Sequence, residues 1–150
     1  MWGKVGRSGD MLLGEHDHFL DDKNRLTLPA KLREQLGDAV VVTRGMEGCL
    51  NVYAAAEWEG LAARVTAIDP LSRDGREMRR FFFTGAVSGD LDKQGRMVLP
   101  TSLLQSVGIE REVTVAGMFD HLEIWDRAKW RDHMREVEGR AEDVAERLAN

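Results

Sequence analysis

The chain has 150 residues and a mass of 16.9 kDa, the size of one compact domain or two small fused ones. With 43% hydrophobic and 31% charged residues and a net charge of −5, its composition excludes wholesale disorder, collagen-like repeats and a mucin-like stalk. No apolar run approaches the roughly 18–20 residues that span a bilayer, and the single cysteine, Cys49, excludes an intrachain disulfide and a Cys-based zinc site. Lys4 and Arg7 are not followed by the apolar stretch of a secretory signal, so the expectation is a soluble, intracellular protein. Net acidity argues against a strongly basic nucleic-acid binder only as an average. Residues 131–150 alone carry six acids against four arginines, so basic side chains elsewhere can still form one face.

Residues 1–14, with Gly3, Gly6 and Gly9 and no apolar period, are expected to be a flexible tail, although Met11 opens a better patterned stretch. A strand at His18–Asp21 enters a tight turn and leaves as a second strand at Leu26–Leu28. Pro29 then opens a short helix whose Leu32 and Leu36 share a face, and Gly37 stops it. Strands follow at Val40–Thr43 and Leu50–Tyr53. Trp58, Leu61, Val65 and Ile68 mark one face of a helix that Asp69-Pro70 ends, and a second connecting helix runs near Asp74–Phe83. The same grammar then returns: strands at Val87–Leu91 and Met97–Leu99, Pro100, Leu103 with Val107, Gly108, and strands at Glu112–Ala116 and Leu122–Trp125. In the C-terminal segment Trp130, Met134, Val137, Ala141, Val144 and Leu148 follow one another in alternating steps of four and three, a coiled-coil-like seam, with Glu136–Arg140 and Asp143–Arg147 at i, i+4. That face packs either on its own domain or on a helix of another subunit.

The recurrence is an internal duplication. Leu20–Pro29 reads LDDKNRLTLP and Leu91–Pro100 reads LDKQGRMVLP. At an offset of 71, Leu20, Asp21, Arg25, Leu28, Pro29, Leu32 and Gly37 recur. After one inserted residue, at an offset of 72, Val41, Gly45, Met46, Leu50, Ala56 and Trp58 recur. The unit is about 44 residues long, which divides the chain into the tail, a first repeat at 15–58, a helical connector at 59–85, a second repeat at 86–129 and a C-terminal helix at 130–150. Four short strands bury too little alone, so the halves are expected to share one core built on Leu20, Leu28, Val41, Leu50, Leu91, Leu99, Val113 and Leu122.

The candidate chemistry lies in the twin Asp-x-x-x-Arg turns, Asp21…Arg25 and Asp92…Arg96. A short Asp side chain accepts backbone N–H bonds within a turn, Gly95 is free to take positive φ, and Asn24 is the next most tolerant residue at the matching place. Arg25 and Arg96 then leave rigid turns, with Lys23 and Lys93 beside them to touch phosphates. Spacing alone leaves two readings open. The turns present arginines to successive features of a duplex, or each Asp–Arg pair simply pins its hairpin. Arg73, Arg76, Arg79 and Arg80 form a second basic cluster that reads foremost as a solvated helix face or a subunit contact. His16 and His18 share a strand face but lack further ligands, so no metal or other cofactor is expected, and His121 and His133 have no spacing partner. Cys49 reads as a small buried residue, and Phe81, Phe82 and Phe83 as core or subunit interface. Asp21 and Asp92 as paired acid–base carboxylates would make an enzyme, but no phosphate loop, metal spacing or nucleophile–base set accompanies them, so none is expected.

LDDKNRLTLP and LDKQGRMVLP, the 71–72-residue repeat, GEHDHFLD at Gly14–Asp21 and RRFFFTGA at Arg79–Ala86 resemble the MraZ transcriptional regulators, from about Met11 to Leu148. The resemblance implies an α+β fold, mainly β, in which tandem SpoVT/AbrB-like half-barrels interlock as a double-split β-barrel. It implies a cytoplasmic, nucleoid-associated, ring-forming homo-oligomer with no membrane or small-molecule partner. Such a protein binds double-stranded DNA at G-rich direct repeats upstream of its own division and cell-wall gene cluster, usually to repress it. The DNA-facing elements of that family carry over to Asp21, Arg25, Asp92 and Arg96. The family's first turn has Gly where this chain has Asn24, so the geometry is expected to survive at some cost. An antitoxin-like interaction module is the alternative, since related half-barrels bind toxins; those carry one half-barrel and a disordered tail, unlike this chain.

Overall fold

The computed structural model describes residues 11–150; the tail expected at residues 1–10 lies outside the described residues. The elements are β1 (Glu15–Phe19), β2 (Arg25–Thr27), α1 (Ala30–Leu36), β3 (Val40–Arg44), β4 (Leu50–Ala54), α2 (Ala55–Ala67), α3 (Arg73–Thr84), β5 (Val87–Ser88), β6 (Arg96–Val98), α4 (Thr101–Ser106), β7 (Glu112–Gly117), β8 (Leu122–Asp126) and α5 (Arg127–Ala149). Residues 11–14 are no tail: Leu12 is fully buried and exchanges backbone hydrogen bonds with Phe119, at 2.8 and 2.7 Å. A buried leucine contributes about 1.5–3 kcal/mol, enough to hold so short a stretch. The C-terminal helix begins at Arg127, capped by the Asp126 carboxylate accepting from Lys129 N, so it starts three residues before the expected boundary.

The strands form a six-stranded antiparallel sheet ordered β1-β7-β8-β4-β3-β5 and a two-stranded ribbon, β2-β6. Exchanging each strand for its repeat partner (β1 for β5, β2 for β6, β3 for β7, β4 for β8) reverses the order and leaves it unchanged. The duplication has therefore become a pseudo-twofold axis. It passes through two cross-strand pairs of equivalent residues, Leu26 with Met97 in the ribbon and Asn51 with Glu123 between β4 and β8. The first strand of each half is donated to the other: β1 pairs with β7, and β5 with β3. The strands flanking each turn are thus not a hairpin. They run to different sheets, and this exchange interlocks the half-barrels into a double-split β-barrel with one core.

Leu20, Leu26, Leu28, Leu50, Met97, Leu99, Val113 and Leu122 are buried to 1% exposure or less, and Leu91 joins the same cluster. Val41 does not. Strand alternation sends Val40 and Val42 to the core and turns Val41 to the opposite face with Thr43, whose hydroxyl donates to Phe82 O of α3 at 2.6 Å. Pro29 and Pro100 are the N-caps of α1 and α4, one place before the first turn, and Gly37 and Gly108 take positive φ just beyond them. No described helix is long and apolar enough to cross a membrane.

Candidate nucleic-acid interface

The ribbon has two faces set by strand alternation. Leu26 and Met97 point into the core, so Arg25, Thr27, Arg96 and Val98 share the outer face. Arg25 lies opposite Val98, two residues beyond Arg96, a diagonal that sets the two arginines about 7–8 Å apart at the backbone.

The preceding turns are built alike. Asp21 Oδ1 accepts from Lys23 N and Arg25 N, both at 2.9 Å; Asp92 Oδ1 accepts from Gln94 N and Arg96 N at the same distance. The second carboxylate oxygen takes the arginine Nε, at 2.6 Å for Arg25 and 2.9 Å for Arg96. Asn24 (φ 57°) and Gly95 (φ 76°) occupy the same left-handed position, so the turn backbone survives the replacement of glycine. Each turn is also stitched to the other half: Leu99 N donates to Asn24 O at 2.9 Å and Leu28 N to Gly95 O at 3.1 Å. The backbone donors, the Arg25 N–H first, hold the Asp21 carboxyl at about 2, and the equivalent bond from Arg96 N lowers Asp92. Both carboxylates are therefore ionised and occupied, which suits a positioning role and not that of a general acid.

With Nε engaged, the two η nitrogens of Arg25 and of Arg96 have no protein partner among the described residues, and the side chains are 27% and 29% exposed. Lys23 and Lys93 are exposed but not equivalent. Lys23 matches Gln94 in the repeat, and Lys93 matches Asp22.

A profile of the family described as "MraZ protein, putative antitoxin-like" matches residues 11–80 and again 82–150, one match per half. The chain belongs to the MraZ family. It is 40% identical over 140 residues to the transcriptional regulator MraZ of Syntrophomonas wolfei, covering 93% of this chain and 98% of that one. It is 41% identical over 138 residues to the transcriptional regulator MraZ of Heliobacterium modesticaldum, covering 92% and 96%. The same-named protein of Clostridium botulinum is 44% identical over 120 residues, covering 80% and 84%.

The other candidates fall elsewhere in this MraZ-family fold. Arg76 donates to Pro70 O and Leu71 O, and Arg79 to Thr66 O, so two members of the second basic cluster hold the α2–α3 corner instead of forming a free patch. Phe82 is buried, Phe81 meets it edge-on at 5.1 Å, and Phe83 meets Trp58 at 6.0 Å. His16 sits on β1 with Nε2 buried; the backbone carbonyl of His18 accepts from Arg127. His121 stacks on Tyr53 and His133 on Trp125, each at 5.0 Å. Burial of Cys49 raises its thiol pKa, and the Sγ–H donates to Met46 O.

Two residues at the turns escaped the sequence reading. Arg33 of α1 donates from Nη1 to Gln94 O at 2.9 Å, and Thr101 of α4 accepts from Asn24 Nδ2 at 3.3 Å, so each half's short helix braces the other half's turn. The signal was a break in the repeat: Arg33 stands where the second half has Leu104.

Proposed function

We propose that this chain is a homo-oligomeric, sequence-specific DNA-binding transcriptional regulator that reads the major groove with the outer face of the β2–β6 ribbon. The observation that carries this reading is the pair Arg25 and Arg96, clamped through Nε on one face with their η nitrogens unengaged by any described residue. A two-stranded ribbon fits the major groove, and an outward η pair matches guanine O6 and N7. Lys23 and Lys93 add phosphate contacts, while Asp21, Asn24, Asp92 and Gly95 shape the turns. The names of the relatives support a regulator. In its finer form the operator is a set of short G-rich direct repeats upstream of the chain's own division and cell-wall gene cluster, where binding represses. The protein works in the cytoplasm at the nucleoid, without a cofactor, with residues 15–58 and 86–129 as its two half-barrels.

An acidic subunit with two such arginines holds one repeat weakly. A ring of subunits on phased repeats gains on the order of 10²–10⁴ in apparent affinity. Beyond Met134, α5 fits that assembly. Val137, Ala141, Val144 and Leu148 line a groove made by α5 alone, and Leu148 is 83% exposed. We assign this seam to a second copy of the chain, because its apolar positions recur at the coiled-coil period. The same seam favours the second reading, an antitoxin-like interaction module.

A gel-shift titration at low and moderate salt tests the choice, with DNA from upstream of the chain's gene and wild type beside Arg25→Ala/Arg96→Ala. Retention by wild type alone, resistant to unrelated competitor DNA, is the expected result. No shift from folded, oligomeric wild type would overturn DNA binding and leave the interaction module.

A further inference from the structure

The pseudo-twofold relation holds for the turn backbones and fails for their charges. At the second turn three cations, Arg33, Lys93 and Arg96, face one carboxylate, Asp92; at the first, Lys23 and Arg25 face Asp21 and Asp22. The difference comes from three repeat positions, of which one, Lys23 matched by Gln94, favours the first turn and the other two favour the second. Arg33 is matched by Leu104, which is buried, so α4 sends no cation to the first turn, and Lys93 is matched by Asp22. Arg33 is not an unattached surface charge: its guanidinium lies over Gly95 and donates to Gln94 O, which fixes a positive group against the second turn while that helix stays half exposed.

We infer that the two turns meet DNA inequivalently: Arg33 is a further DNA-contacting residue that makes the second turn the stronger phosphate anchor, and Asp22 weakens the first. The inference rests on the DNA-binding reading above. Phosphate affinity follows the number of neutralising cations, each adding about 0.9 to the slope of log K against log salt. A three-cation turn therefore holds the backbone while the near-neutral first turn contributes chiefly through Arg25. A pseudo-symmetric monomer so charged reads a non-palindromic element in one orientation, as a direct repeat requires, because inverting it would exchange a strong anchor for a weak one.

The test is fluorescence anisotropy between 50 and 300 mM NaCl on a labelled duplex from upstream of the chain's gene and a scrambled duplex of equal length. Wild type is compared with Arg33→Gln, Arg33→Lys and Asp22→Lys, and each variant's melting temperature is recorded. Arg33→Gln should lower the salt slope by about 1 per bound subunit, Arg33→Lys should restore it, and Asp22→Lys should raise it by about the same amount. Asp22→Lys keeps the inference testable if Arg33→Gln fails to fold, because Asp22 is exposed. An unchanged slope in Asp22→Lys, or in a folded Arg33→Gln, would overturn the inference, and so would a loss that Arg33→Lys does not repair, which would make Arg33 a brace alone. Failure of wild type to bind either duplex would instead overturn the DNA-binding reading itself.

Discussion

Arg33 occupies the space that a side chain on Gly95 would need. A Cβ at Gly95 would lie 2.6 Å from Arg33 Cδ and 2.7 Å from Cζ, and Gly95 also holds φ at 76°. At the equivalent place in the first turn, Asn24 accepts the left-handed backbone and uses its side chain to reach Thr101. One turn position thus has two solutions, one that makes room for a neighbour and one that reaches for it. Gly95→Ala should cost about 1–2 kcal/mol, from backbone strain and displacement of Arg33. Asn24→Gly should stay within about 1 kcal/mol, since relief at φ 57° offsets one long, exposed hydrogen bond. Urea denaturation of both variants checks this; equal losses would mean that Arg33 yields freely.

Asp21 should give the fold a titration at acid pH. Its carboxyl is lowered from 3.8 to about 2 by the Arg25 N–H and its companions. Between those values the unfolded chain binds the proton that the folded chain refuses, so stability rises with pH across the window. The contribution is fully present above about 4 and is lost as pH falls through about 2. Asp92 is lowered by the same arrangement and acts in the same sense. Thermal melts from pH 5 to pH 2 should therefore steepen toward the acid end for wild type and flatten in Asp21→Asn/Asp92→Asn. The same variant separates positioning from charge. Losing two carboxylates would strengthen phosphate binding if charge alone mattered, whereas release of Arg25 and Arg96 should weaken binding to the upstream DNA.

The repeat made much of this legible in the sequence. It located both turns, the Asp and Arg of each, the short helices after Pro29 and Pro100, and the left-handed position held by Asn24 and Gly95. Strand exchange was not legible, because β1 has the same alternating pattern whether it pairs with its own half or with β7; periodicity fixes a face and names no partner. Three consecutive valines hid which of Val41 and Val42 faces inward. Arg33, one of three charged residues on a seven-residue helix, reads in the sequence like any solvated side chain; only the packing of α1 across the second turn sets it apart. On α5 the expected Glu136–Arg140 and Asp143–Arg147 pairs are not formed: Arg140 Nε bonds the Glu136 carbonyl, and the ion pair between two residues of the helix itself is Asp132–Arg135 at 2.8 Å. Exposed i, i+4 partners gain too little over solvent to fix one geometry.

Leu26 and Met97 should matter to the fold in proportion to their place on the pseudo-twofold axis. Both are buried to 1% exposure or less and face each other across the ribbon whose opposite side carries Arg25 and Arg96. Leu26→Ala and Met97→Ala should each cost about 2–5 kcal/mol. Arg25→Ala and Arg96→Ala, which remove partly exposed ion pairs, should each stay within about 1 kcal/mol while losing about 1–3 kcal/mol of affinity for the upstream DNA. Denaturation midpoints and anisotropy titrations on the same four variants separate the two faces. An arginine variant that unfolds would show that the ion pair pins the turn and would move the DNA surface elsewhere.

The second half of α5 should govern assembly without governing the fold. Its first turns are tied down: Trp130 donates to Glu15, Trp130 meets Trp125 at 5.6 Å, Arg131 reaches Asp17 at 3.2 Å, and Arg127 bonds His18 O and lies 4.9 Å over Phe19. From Val137 onward the apolar groove is lined by α5 residues alone and Leu148 is 83% exposed, so Val144→Asp/Leu148→Asp should remove little intrachain packing. The full-length variant should melt at the wild-type temperature in dilute solution and run as a smaller species by size-exclusion light scattering. Its affinity for a duplex with several repeats should then fall toward that for a single repeat, since avidity requires linked subunits. If the variant keeps the wild-type mass and multi-repeat affinity, the seam does not join subunits, and the apolar face of α5 is free for a different partner.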